Sequence, residues 1–143
     1  MEIASDENAA IVARIYDVAM EALREGRAVS PEQRLIHDVE HMMQEANSGA
    51  SFEQYFRWAP VREIATVVES LSSLDLDEVA GIVTRAIDIA FPEGIPGSDE
   101  EKGELTDWTE EQEEELASLF EELEEHNGAV MNKLGEFATR VGV

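Results

Sequence analysis

Residues 116–141, LASLFEELEEHNGAVMNKLGEFATRV, decide the fold. Apolar side chains recur at Leu116, Phe120, Leu123, Val130, Leu134, Phe137 and Val141 in steps of three and four, and Asn127 is the one polar member of the stripe. That period is helical, so this stretch is a helix with one buried side. The phase carries through Asn127-Gly128, and the spacing predicts one continuous last helix of about 30 residues, roughly 45 Å at 1.5 Å per residue. Immediately before and within it the chain is acidic. Between Asp99 and Glu125 fourteen carboxylates face the single cation Lys102. The apolar stripe is therefore fold, and the acidic back is either solvent coating or a binding surface.

Working outward, the other segments with a clear period are also helical. Ser5 or Asp6 can cap a helix to about Glu25, with Ile11, Val12, Ile15, Tyr16, Ala19 and Leu23 inward and Gly26 as its stop. Ser30-Pro31-Glu32-Gln33 is a capping box with proline at the first helical position. The helix it opens buries Leu35, Ile36, Val39, Met42 and Met43 and ends at Asn47-Ser48-Gly49. Ser51 with Gln54 predicts a second box before a short aromatic helix that anchors Phe52, Tyr55, Phe56 and Trp58 in the core. Pro60 opens a helix with Ile64, Val67, Val68, Leu71 and Leu74 inward. Asp75 is expected to cap the next, whose Val79, Ile82, Val83, Ala86, Ile87 and Phe91 make it the most apolar and so the central one, stopped by Pro92. Pro92 to Asp107 reads as one long loop. Thr109 with Gln112 caps the last helix. No two-residue alternation occurs, so the class is all-α, a single compact domain spanning residues 1–143 with about six helices.

Composition narrows function. The chain has 33 Asp and Glu against 10 Lys and Arg, a net charge of −23. Such a protein repels nucleic acid and anionic membranes, so charge selects basic partners. There is no cysteine, which removes disulfides and thiolate metal sites. Neither a signal peptide nor a membrane-spanning apolar run is evident, and a cytoplasmic protein is expected. Phosphate loops, G-x-S-x-G elbows and cysteine nucleophiles are missing, so no enzymatic activity, catalytic residue or cofactor is expected. His37-Asp38-Val39-Glu40-His41 fits H-x-x-E-H, in which two histidines one turn apart hold zinc and a glutamate activates water. No third ligand stands out, and no metal site is expected.

The acidic run remains. Carboxylates three or four residues apart on a helix lie about 5–6 Å from each other, comparable in scale to the charge spacing along a DNA strand. Asp99, Glu100, Glu101, Glu104, Asp107, Glu110, Glu111, Glu114, Glu121, Glu122 and Glu125 are therefore the candidate partner-binding residues. Two other readings compete: an acidic interaction or immunity-type module unrelated to DNA, and a salt-adapted surface, which the count of only two lysines also fits.

Asn47-Ser48-Gly49-Ala50-Ser51-Phe52-Glu53-Gln54-Tyr55-Phe56 resembles the N-G-G-F-x-Q-Y-F signature of an all-helical, acidic bacterial DNA-mimic family. Phe52, Gln54, Tyr55 and Phe56 match, while small residues replace the paired glycines. Val67-Val68-Glu69-Ser70-Leu71, Ala80 to Ile87 and Phe91-Pro92 are similar to the family's following helix pair, and the likeness runs from about Gln33 to Val141. It implies an all-helical fold, a homodimer, and binding to the DNA-binding face of a transcription regulator or nucleoid protein.

Overall fold

The Ser5 hydroxyl accepts from the Asn8 amide at 3.0 Å and starts α1 (Asp6–Arg24) in the computed structural model, which describes residues 1–143. Ser30 and Gln33 close their reciprocal box at the head of α2 (Pro31–Gly49), as the sequence predicts. After α3 (Glu53–Trp58), α4 (Val61–Ser73) and α5 (Asp77–Ala90) come α6 (Asp99–Glu104), α7 (Glu110–Glu124) and α8 (Asn127–Val141). Thr109 and Gln112 form the second reciprocal box, at the head of α7. The chain is all-α, with eight helices rather than about six around one continuous core. No helix is long and apolar enough to cross a membrane.

Both added helices come from tertiary demands. The expected last helix turns at Glu125-His126 because its halves have different partners: α7 packs on α5, and α8 packs on α1. Leu116, Leu123, Val130 and Leu134 are buried, yet Phe137 is only half-buried and Val141 is exposed. Glycine makes the α8 contact possible. A Cβ at Gly128 would collide with the backbone carbonyl of Glu2, and one at Gly135 would lie 2.6 Å from the Cβ of Asn8 on α1. Asn132, between them, accepts from the Ser5 amide at 2.8 Å and donates to the Ile3 carbonyl at 3.0 Å. The other addition, α6, lies inside the expected 92–107 loop. Ser98 caps it, accepting from Glu101 at 3.1 Å, and Asp99 accepts from the Val61 amide at 2.7 Å, serving the start of α4 as well.

Four local expectations are corrected. The central helix is α2, which touches α1, α3, α4, α7 and α8, whereas the more apolar α5 lies between α4 and α7 with Thr84, Arg85 and Asp88 in solvent. Centrality follows from how many neighbours surround a helix, and α2 meets some of them with polar side chains. Asp75 does not cap α5: it sits in the left-handed region at φ 59, where the chain reverses after α4, and Leu76 occupies the cap position. Ser51 accepts from Glu53 at 3.3 Å instead of forming a box with Gln54, which donates to Glu45 at 2.7 Å. Trp58 is 69% exposed, and the aromatic that completes the core is Trp108.

Ala50, the residue after α2, is also left-handed, at φ 53 and ψ 34. A Cβ is strained in that region, where glycine is not. Ala50→Gly should therefore stabilise the fold by about 1 kcal/mol, read as a shifted urea midpoint at unchanged slope. An equal or lower midpoint would contradict the strain.

Candidate functional site: an acidic helix and a buried polar cluster

Leu116, Leu119, Phe120 and Leu123 turn α7 toward the core. Opposite them, Glu110, Glu114, Glu121 and Glu125, spaced by four, seven and four residues, share one outward stripe, with Glu111 beside it. All eleven sequence-predicted acidic residues are exposed, but not all are equally free. Asp99 caps α4, Glu101 accepts from the Gly97 amide at 3.1 Å, and Glu122 pairs with Arg85 at 3.0 Å. The stripe of α7 enters no ion pair, and neither do Glu100, Glu104 and Asp107. Along the α5 side of α7 runs an open groove of about 410 Å³, lined by the apolar Ile89 and Leu119, the acids Asp88 and Glu115, the cation Arg85, and Ser118.

The one cation of the run contributes nothing to that face. Lys102 is 4% exposed, and its Nζ donates to the carbonyls of Phe56 at 2.8 Å and Arg57 at 2.7 Å, closing the C-terminal end of α3. Burial pulls its pKa below the ordinary lysine value, while the Asp99 charge opposes the shift. Trp108 holds the same junction. Its Nε1 donates to the Ala90 carbonyl at the end of α5 at 3.0 Å, and the Arg57 guanidinium lies 5.3 Å from its ring centre. Neither role is visible in the sequence, where Lys102 is one charge among fourteen of opposite sign.

Where α7 faces α3, its acidity strains the fold. Burial first, then the hydrogen bond and charge of Glu113, raise the pKa of Glu53. A carboxyl whose folded pKa is raised favours folding at low pH, and that contribution disappears as pH rises from the ordinary Glu value, about 4.3, through the folded one. Glu113→Gln should flatten this part of the stability curve and raise the melting temperature at pH 7. Parallel curves for variant and wild type would show that the two carboxyls do not interact.

The H-x-x-E-H pattern does not assemble as a zincin reads. His37 and His41 share a face, with ring centres 5.7 Å apart, but the His41 Nδ1 is held 2.9 Å from Glu63 of α4, and Glu40 accepts from Gln44. The Glu63 bond, outweighing burial, raises the His41 pKa. What forms is a buried cluster. Asp38 lies 2.9 Å from the His37 Nδ1 and 3.5 Å from Arg62, Tyr16 stacks on His37, and Glu63 is 1% exposed. Tyr55 packs edge-on to His41 with its hydroxyl unpartnered, and burial, then the Glu63 charge, push its pKa well up. The sequence carried one signal for Glu63: it is in phase with Val67 and Leu71 on the buried stripe of α4.

An all-helical domain with an unneutralised acidic helix turned to solvent belongs among acidic-surface proteins of the helical class. More specifically, the chain belongs to the family described as DMP19-like protein, a DNA-mimic-type family whose sequence model matches residues 27–140. No curated protein and no solved structure matches the chain.

Proposed function

We propose that this protein is a non-enzymatic DNA mimic of the cytoplasm that binds the DNA-binding face of a basic transcription regulator or nucleoid protein and keeps it off DNA. The observation that carries the reading is the outward stripe of α7, with Glu110, Glu114, Glu121 and Glu125 exposed and the only cation of the acidic run turned inward. Family membership supports it. Fixed negative charge steers a basic partner, and a site built to grip phosphates gives up its contacts with DNA when carboxylates occupy it. Association should therefore be fast and steeply weakened by salt. A homodimer, as the family resemblance implies, would present the stripe twice.

The test is capture from the source cell at low salt followed by elution with duplex DNA. A DNA-binding protein released by the duplex supports mimicry. A partner that keeps its nucleic-acid site free in the complex would instead make this an interaction module of another kind.

A further inference from the structure

We propose that His37, Asp38 and Glu63 form a binding site for one divalent first-row cation of the zinc class, joining α2 to α4. Each residue offers one ligand atom, these atoms lie within 4.8 Å of one another, and all three residues are buried. Zinc binds nitrogen and oxygen at about 2.0–2.2 Å, which in a tetrahedral site sets neighbouring ligands about 3.3–3.6 Å apart. The His37 Nδ1 and Asp38 Oδ1 are 2.9 Å apart, a few tenths of an ångström inside that spacing, and a Glu63 oxygen lies within 4.8 Å of both. One imidazole and two carboxylates suit zinc, manganese or ferrous iron, not the thiolate-seeking metals.

Charge and hydrogen bonding point the same way. The Asp38 and Glu63 side chains are 4% and 1% exposed, and the guanidinium nearest Asp38, from half-exposed Arg62, stands off at 3.5 Å. Buried carboxylates need close compensation; Glu63 has His41 at 2.9 Å, whereas Asp38 has no cation that close, and a doubly charged ion between the two carboxylates supplies it. The second observation comes from a side chain outside the ligand set. Tyr55 is 0% exposed, and its hydroxyl lies against Glu63 without forming a well-aligned hydrogen bond to it or to any other group. Buried hydroxyls are rarely left unpaired. A water on the ion gives this one its partner. His41, bonded to Glu63 at 2.9 Å, orients the carboxylate as outer-sphere groups do in metal sites. The pattern in the sequence named two histidines and lacked a third ligand. The fold keeps one histidine as a ligand and adds Asp38 and Glu63.

The experiment uses the full chain, stripped with chelator and titrated with cobalt as a spectroscopic stand-in, then with zinc. The expected result is one equivalent of cobalt per chain with a visible ligand-field band, displaced by zinc, together with a rise in melting temperature. His37→Gln should abolish the band. Because a variant in so buried a cluster can fail to fold, the wild-type protein is also followed by proton NMR. Bound cobalt should displace the ring signals of His37 and His41 and leave those of His126 in place, since His126 sits beside Glu78 at the head of α8. Weak uptake of several equivalents with His37 unmoved would mean an adventitious ion only, held by surface carboxylates, and would overturn the site.

Discussion

Changing Glu110, Glu111, Glu114, Glu121 and Glu125 together to glutamine should weaken binding to the basic partner by roughly 60- to 4,000-fold. Exposed charge pairs contribute up to about 1 kcal/mol each, so five at about 0.5–1 kcal/mol come to roughly 2.5–5 kcal/mol, and each 1.4 kcal/mol is tenfold. Most of the loss should fall on the association rate, because charges at an interface rim act chiefly in steering. The salt dependence of binding should flatten in parallel. These side chains are exposed and opposite the buried face of α7, so folding should be unaffected or improved by the relief of self-repulsion. The control is an equal charge change elsewhere, at Asp17, Glu21, Glu25, Glu69 and Glu136, all exposed outside α6 and α7. If both sets weaken binding equally, only net charge matters and the stripe is not a site. Surface plasmon resonance at several salt concentrations separates the two.

Trp108→Ala should be the most damaging single change around the acidic segment, lowering stability by about 3–5 kcal/mol out of the roughly 5–15 kcal/mol typical of a domain. Three losses combine. A large buried ring leaves a cavity, the Ala90 carbonyl at the end of α5 loses its donor, and Arg57 loses the aromatic surface beneath it. Trp108→Phe keeps much of the packing and loses the indole bond, so it should cost about 1–2 kcal/mol less than the alanine change. Urea unfolding followed by far-ultraviolet circular dichroism is the measurement, because removing an indole would itself change the fluorescence. A Trp108→Ala protein within 1 kcal/mol of wild type would show that this ring does not hold α7 against the body. The link to function is direct: Trp108 immediately precedes the Thr109 cap, so the aim of the acidic stripe depends on it.

Most helices were legible because their signals are local. The Ser30-Gln33 and Thr109-Gln112 boxes depend on residues three apart in sequence, and both form. The turn at Glu125-His126 was not legible, because a helical period says which side is buried and not which neighbour buries it. Stripe phase survives the turn, so periodicity alone continues the helix. The Asp75 and Ser51 caps failed for a related reason: several polar residues compete for a helix start, and the path of the preceding chain chooses between them.

For the candidate sites the division runs through the same chain. The acidic run could be read in full, since exposed charge on an amphipathic helix follows from composition and period. Its internal ranking could not, because Asp99, Glu101 and Glu122 are occupied by groups distant in sequence or set by the loop path.

By itself the sequence determined an all-helical chain, a buried stripe on every long helix, and an excess of carboxylate that faces water because it has nowhere else to go. Tertiary structure decided the rest: that α8 leaves the line of α7 where two glycines admit the N-terminal segment, that Lys102 is withdrawn from the acidic face to close α3, and that His37, Asp38 and Glu63 meet. The physical reason is common to all three. Contacts between residues far apart in sequence depend on the packing of whole helices, whereas propensity, period and charge act within a few residues.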